Sequence, residues 1–143
     1  MEKPKKYFNL SDDVNLDDIY YMNPVLLSMI IWVSSWCDFH DVIPFWTSFH
    51  RPENDGISKS RTHQEFRAAD LSLLGTFGWT TDKIDEFRYD FHKKFESVGA
   101  VVFDKENNEY TSRPIYIHGK GKGIHAHLQI RPNLQFYKGE KDD

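Results

Sequence analysis

The sequence contains only one cysteine, Cys37, among its 143 residues, so no disulfide can form within the chain. Cys37 lies in an apolar run, and we interpret it as a buried thiol without a chemical role. The fold must therefore be stabilised by packing or by a metal ion. A chain of this length with 15% aromatic residues can bury a large core. We predict a single domain over residues 1–143, with flexible tails at 1–10 and 138–143.

Long hydrophobic runs are also missing. The most apolar stretch, PVLLSMIIWVSSWC at 24–37, is about 14 residues long, whereas a membrane-spanning helix needs about 20. The N-terminal MEKPKKYFNLSDD turns acidic where a secretory signal would have its apolar segment. We therefore expect a protein that is made in the cytoplasm without a signal peptide and that has no membrane partner.

An excess of positive charge is the third absence. The net charge of −4 argues against a protein that is drawn to nucleic acid by electrostatic attraction, although a local basic patch is still possible. We therefore expect no nucleic-acid partner. Internal repeats, low-complexity tracts and linkers are absent as well, which agrees with one domain.

Two segments have the features of helices. The stretch MNPVLLSMIIWVSSWCDFH opens with Asn23 as N-cap and Pro24 at the first helical position. The stretch TTDKIDEFRYDFHKKFESVG carries an apolar stripe at three- and four-residue steps and has Gly99 just past its end. This stripe consists of Ile84, Phe87, Phe91, Phe95 and Val98. The segments DVIPFWTSF, AVVF and RPIYIH have the composition of strands, and DKENNEY has that of a turn.

The segment GIHAHLQI, at 123–130, alternates strictly between apolar and polar residues. Successive side chains of a strand point to opposite faces, so its aliphatic residues face the core. His125, His127 and Gln129 then share the other face. We predict an α+β fold: a small, mostly antiparallel sheet with helices packed on one face and a polar, histidine-bearing face opposite.

His63 and Asp70 lie in SRTHQEFRAADLS, at a spacing that no regular element can bring to one ion. A helix would separate them by about 10 Å along its axis, and an extended chain by more than ~20 Å. If both bind one metal ion, the segment must bend, for example as a loop or helical turn that runs into a strand at AADLS. The alternative is an ordinary loop with a surface histidine and a capping aspartate.

Two stretches, TSFHRPENDGISKSRTHQEFRAADLS and IHAHLQIRP, together resemble the zinc D-alanyl-D-alanine peptidase family. This family contains carboxypeptidases and L-alanyl-D-glutamate endopeptidases of peptidoglycan, many of them phage endolysins, and shares its fold with the Hedgehog signalling domain. Its pattern is S-x-x-R, then S-x-H-x-x-G-x-A-x-D, then a final histidine that often stands in H-x-H. The matching positions are Ser48, Arg51, His63, Ala68, Asp70 and His127, with His125 two residues before the last.

The resemblance implies a zinc metallopeptidase that hydrolyses an amide bond in peptidoglycan stem or cross-bridge peptides with a zinc-activated water. His63, Asp70 and His127 would be the zinc ligands. Arg51 would hold a substrate carboxylate or stabilise the oxyanion, and His125 would be the catalytic acid–base group. Further substrate contacts are expected from Ser48 and from His118, in YIHGKGKG. We expect a monomer that acts on the cell wall after release if it is a phage endolysin.

Three positions depart from the family pattern. Phe66 replaces the glycine after the first histidine, and Arg61 replaces the serine before it. Ile124 stands where many members have an acidic general base, three residues before the last ligand. His125 would take that role in members with H-x-H. The sequence thus supports the metal site better than it supports the catalytic base.

Two other functions fit parts of the pattern. The first is a non-catalytic, zinc-stabilised binding or virion-associated module of the same fold, which the isoleucine at position 124 favours. The second is a metal-dependent DNA nuclease of the H-x-H type with Tyr137 as nucleophile. In such nucleases the tyrosine usually lies on a helix well downstream, whereas Tyr137 closely follows the histidine pair. The acidic net charge also gives no footprint for DNA.

Overall fold

The computed structural model describes residues 9–12, 14–49, 67–119 and 123–131. These residues form a mixed α+β structure with two α helices, α1 (Pro24–Phe39) and α2 (Thr81–Phe95). Short 3₁₀ helices span Leu16–Tyr20 and Gly75–Phe77. The strands are β1 (Asn9–Leu10), β2 (Phe45–Ser48), β3 (Ala68–Ser72), β4 (Ala100–Asp104), β5 (Glu109–Arg113), β6 (Ile115–His118) and β7 (His125–Gln129).

Both helices begin where the sequence predicts. The Asn23 side chain accepts a hydrogen bond from the Val25 amide at 2.8 Å, and Pro24 occupies the first position of α1. Helix α2 is capped by Thr80, whose hydroxyl accepts from the Lys83 amide at 3.2 Å. These caps satisfy amides that have no partner within their own helix.

Five strands form one sheet in the order β1-β2-β3-β7-β6, in which β1 and β2 are parallel and every other neighbouring pair is antiparallel. Residues Asn9–Leu10, within the stretch for which we expected a flexible tail, form β1. A separate antiparallel pair consists of β4 and β5. Strand β5 includes the end of the segment DKENNEY, which we had interpreted as a turn. None of its residues is buried, so it has no apolar alternation to detect.

The predicted alternation in GIHAHLQI is confirmed and determines how the sheet meets the core. Leu71 lies opposite Ala126 and Ala69 opposite Leu128, and all four are fully buried. They join one hydrophobic cluster with residues from both helices, including the predicted α2 stripe. Phe87, Phe91 and Phe95 of that stripe are buried, whereas Ile84 and Val98 lie partly exposed at its ends. The helices thus pack on one face of the sheet and leave the alternate residues of β3 and β7 on the other.

No helix within the described residues combines the length and apolar character needed to cross a bilayer. Helix α1 is the most apolar element, and its buried face packs against the core of the protein. Leu26, Met29, Ile30 and Val33 all have no exposed surface and contribute to the same core as the sheet.

Cys37 is fully buried on α1, and burial raises the pKa of its thiol to about 12. We expect no reaction with a thiol reagent at pH 8 in the native protein, because only about one thiol in ten thousand is then ionised. Stoichiometric labelling should follow unfolding in guanidinium chloride. Since the folded pKa lies above the unfolded one, this group favours folding below about pH 9, and its contribution falls as the pH rises towards 12. Rapid labelling of the native protein would contradict the assignment.

Candidate metal centre

Strands β3 and β7 bring Asp70 and His127 together. The two residues lie directly opposite each other in the antiparallel register, on the face that points away from the core. His127 Nδ1 is 2.9 Å from Asp70 Oδ1. Directly opposed residues on neighbouring strands are the closest side-chain pairs a sheet offers. Two residues 57 positions apart in the chain therefore meet because of strand pairing alone.

The same face carries further polar residues in two parallel rows. In the first row, Ser48 lies opposite Asp70, and Tyr116 lies opposite His127. The pairing of β2 with β3 is irregular between Trp46 and Ser48, and such bulges redirect side chains at the edges of sites. Here the irregularity keeps Trp46 in the core while Ser48 joins the polar face.

The second row lies two residues further along each strand and consists of Ser72, His125 and His118. The rings of His118 and His125 meet edge to face, with centroids 3.9 Å apart. His125 Nδ1 is 3.3 Å from the carbonyl oxygen of Gly123. A ring that donates from Nδ1 to this carbonyl carries its lone pair on Nε2.

Burial of the Asp70 carboxylate costs free energy, which its contacts must offset. Asp70 is only 4% exposed, and a carboxylate removed from water requires compensating hydrogen bonds or charge. His127 supplies one such partner. The buried amide of Gln129 lies on the other side of the imidazole, with Oε1 3.0 Å from His127 Nε2. The Gln129 amide in turn donates to the carbonyl of Arg113 at 3.0 Å, which fixes which end of the amide faces the histidine.

Both ring nitrogens of His127 thus face an oxygen atom, whereas a neutral imidazole has only one N–H. Either a doubly protonated ring or a cation at one nitrogen satisfies this arrangement. Tetrahedral zinc ligands at 2.0–2.1 Å lie about 3.3 Å apart. The 2.9 Å between His127 Nδ1 and Asp70 Oδ1 therefore needs only a small adjustment to place both atoms on one ion. An imidazole and a carboxylate are donor types that zinc binds.

The structure brings five of the sequence-predicted site residues to one face of the sheet: Ser48, Asp70, His118, His125 and His127. The third predicted ligand, His63, and the predicted substrate anchor, Arg51, lie outside the described residues. Ile124 packs against the hydrophobic core, so position 124 contributes no group to the polar face.

Two residues of this face were missed by the sequence analysis. Tyr116 alternates with Ile115 and Ile117 in the predicted strand RPIYIH, and only the register shows that it lies opposite His127. Gln129 was placed on the same face as the histidines without a role. Its contact with His127 depends on side-chain orientation, for which the sequence has no signal.

Comparisons of the chain with protein-family models, with curated proteins and with solved structures found no match. The residues on the polar face of the sheet are therefore the basis for a functional proposal.

Proposed function

We propose that the protein is a zinc-dependent metallopeptidase that hydrolyses an amide bond in peptidoglycan stem or cross-bridge peptides. The observation that carries the proposal is the buried Asp70–His127 pair, which lies beside a second row of histidines on one sheet face. The sequence resemblance supplies the substrate class and the fold, which we propose is that of the zinc D-alanyl-D-alanine peptidases and Hedgehog domains.

Each residue has a distinct proposed task. Asp70 and His127 hold the metal from two adjacent strands, and His63 completes the ligand set from outside the described residues. A zinc ion held there would supply a nucleophilic hydroxide near neutral pH and would polarise the scissile carbonyl. His125 accepts a proton through Nε2 and returns it to the leaving amine. Ser48, His118 and Arg51 contact the substrate, with Arg51 opposite a carboxylate or the oxyanion.

The contacts of His127 suggest which of its nitrogens would bind a metal. Its Nδ1 faces Asp70 and its Nε2 faces Gln129, so a metal held through Nδ1 would leave Nε2–H to donate to the amide oxygen. Partners that hold the distal nitrogen of a ligating histidine orient the ring and raise its basicity. Gln129 is thus a positioning residue for the proposed metal ligand.

Digestion of purified peptidoglycan tests the proposed activity. The zinc-loaded protein should release fragments with new peptide termini, which mass spectrometry identifies and thereby assigns the bond. Treatment with a chelator should stop the release, and added zinc should restore it. If the zinc-loaded protein yields no fragment from any peptidoglycan type, it is not a peptidase of this kind.

A non-catalytic, zinc-stabilised binding module of the same fold is the second candidate. The isoleucine at position 124, which packs against the core, favours it, because the position that many peptidases use for an acidic base cannot serve here. In that case Asp70 and His127 should bind one zinc ion, and the protein should bind peptidoglycan fragments without cleaving them. Digestion separates the two candidates, and metal content tests the zinc site that they share.

Substitution of Gln129 by leucine should weaken zinc binding by about 10–100-fold, because His127 Nε2 loses its oxygen partner. Gln129→Glu is the matched variant: it keeps an oxygen for His127 but loses the donor to the Arg113 carbonyl. Competition with a chromogenic chelator measures both affinities. Equal losses in the two variants would assign the effect to the Arg113 contact and not to the histidine.

A further inference from the structure

We propose that His40, Glu86 and Asp90 form a second divalent-metal site, which joins the C-terminal end of α1 to α2. Its location on the two helices separates it from the sheet face that carries Asp70 and His127. The proposal does not depend on the proposed peptidase function.

The three side chains offer converging ligand atoms. One donor atom from each of them lies within 4.8 Å of the other two. His40 Nε2 is 3.2 Å from Glu86 Oε2, close to the spacing of two ligands on one ion. Glu86 and Asp90 are four residues apart on α2, so their carboxylates lie on the same side of the helix.

Contacts with Trp36 orient two of the three ligands. His40 Nδ1 is 2.7 Å from the Trp36 carbonyl oxygen, and the two rings stack with centroids 3.7 Å apart. The Trp36 indole N–H donates to Asp90 Oδ2 at 2.9 Å. Trp36 itself is buried between the helices, where it packs against Phe87 and Trp79. The site is therefore built on a rigid part of the core.

The hydrogen count at His40 allows two arrangements, a doubly protonated ring or a neutral ring beside a metal ion, and the second is the one we propose. Both ring nitrogens face oxygen atoms, one of a carbonyl and one of a carboxylate. A neutral ring that donates from Nδ1 to Trp36 has only a lone pair on Nε2, directed at Glu86. A divalent ion between Nε2 and the carboxylates of Glu86 and Asp90 removes this conflict and balances both negative charges.

The ligand types indicate which ions fit. One imidazole and two carboxylates suit zinc, nickel, cobalt or copper better than calcium or magnesium, which prefer oxygen ligands alone. The Glu86 side chain is 55% exposed, so an ion can enter from solvent and keep water in its remaining positions. Binding only to the folded state would stabilise the contact between α1 and α2 by mass action.

Equilibrium dialysis with zinc, followed by metal analysis, tests the site on the full chain. The wild-type protein should bind one more equivalent than His40→Ala. His92→Ala is the matched control, because His92 also contacts a glutamate, Glu96 just after α2, at 3.6 Å, and no third ligand joins them within the described residues. This control should bind as much zinc as the wild type. The expected difference between wild type and His40→Ala is one equivalent whether or not Asp70 and His127 bind metal. The result therefore tests this site separately from the proposed peptidase site.

The exposed ligand provides a test that does not disturb the core. Glu86→Gln should lower zinc affinity at this site at least 100-fold, whereas Glu96→Gln, the partner of His92, should leave it unchanged. At free zinc a hundred times the wild-type Kd, the Tm of the wild type should rise by about 8 °C more than that of Glu86→Gln. Equal stoichiometry and equal Tm shifts in all of these proteins would overturn the proposal.

Discussion

Replacement of His127 by alanine should remove the zinc equivalent bound at the sheet site and reduce peptidoglycan hydrolysis below detection. The variant loses one of the two proposed ligands that meet across β3 and β7, with 2.9 Å between the donor atoms. The ion would be left with Asp70 and one residue from another segment. Two protein ligands do not hold a catalytic zinc ion, which normally has three protein ligands beside its water.

The metal-free variant should also be less stable. Asp70 is buried and loses its imidazole partner, which costs about 1–3 kcal/mol of unfolding free energy. Chemical denaturation of the chelator-treated proteins measures this difference. Asp70→Asn should lose zinc in the same way, and the double variant should lose little more, because each single change already removes the site.

His92→Ala, at an exposed histidine of α2, is the control for both measurements. It should keep the zinc content, the activity and the stability of the wild type. If purified His127→Ala binds as many zinc equivalents as the wild type, His127 is not a ligand, whatever its effect on activity.

Local patterns in the sequence predicted most of the elements around this site. Each of these predictions rests on a feature within a single segment: the N-cap at Asn23, the apolar stripe of α2 and the alternation in β7. A strand at AADLS was one example of how the chain could bend if His63 and Asp70 bind one ion. Residues Ala68–Ser72 form β3, whereas the predicted bend falls on residues that the structure does not describe.

These patterns do not predict which segments pair with each other. The resemblance placed Asp70 and His127 in one site, but nothing in either segment specifies that the two residues are directly opposite. Strand β5 escaped detection because an exposed strand has no buried face to produce alternation. The contacts of His40 with Glu86 and Trp36 depend on how two helices pack, and helical periodicity describes each helix by itself.

The catalytic group must come from a residue other than Ile124, which packs against the core at the position where many peptidases of the resembled family have an acidic base. His125 and His118 are the remaining candidates. They lie opposite each other on β7 and β6, with ring centroids 3.9 Å apart, on the face that carries the proposed metal ligands. His125 is the stronger candidate, since a ring held through Nδ1 by the Gly123 carbonyl directs an unprotonated Nε2 away from it.

Replacement of His125 by alanine should therefore leave the zinc content unchanged and lower kcat by about 10²–10⁴-fold, the usual contribution of a general acid–base group. KM should change much less, because the residue acts on the proton and not on the peptide. His118→Ala serves as the matched variant on the neighbouring strand and should mainly raise KM, as expected for a substrate contact. The reverse pattern would transfer the acid–base role to His118. Unchanged kcat in both variants would exclude this row of histidines from catalysis and favour the binding module.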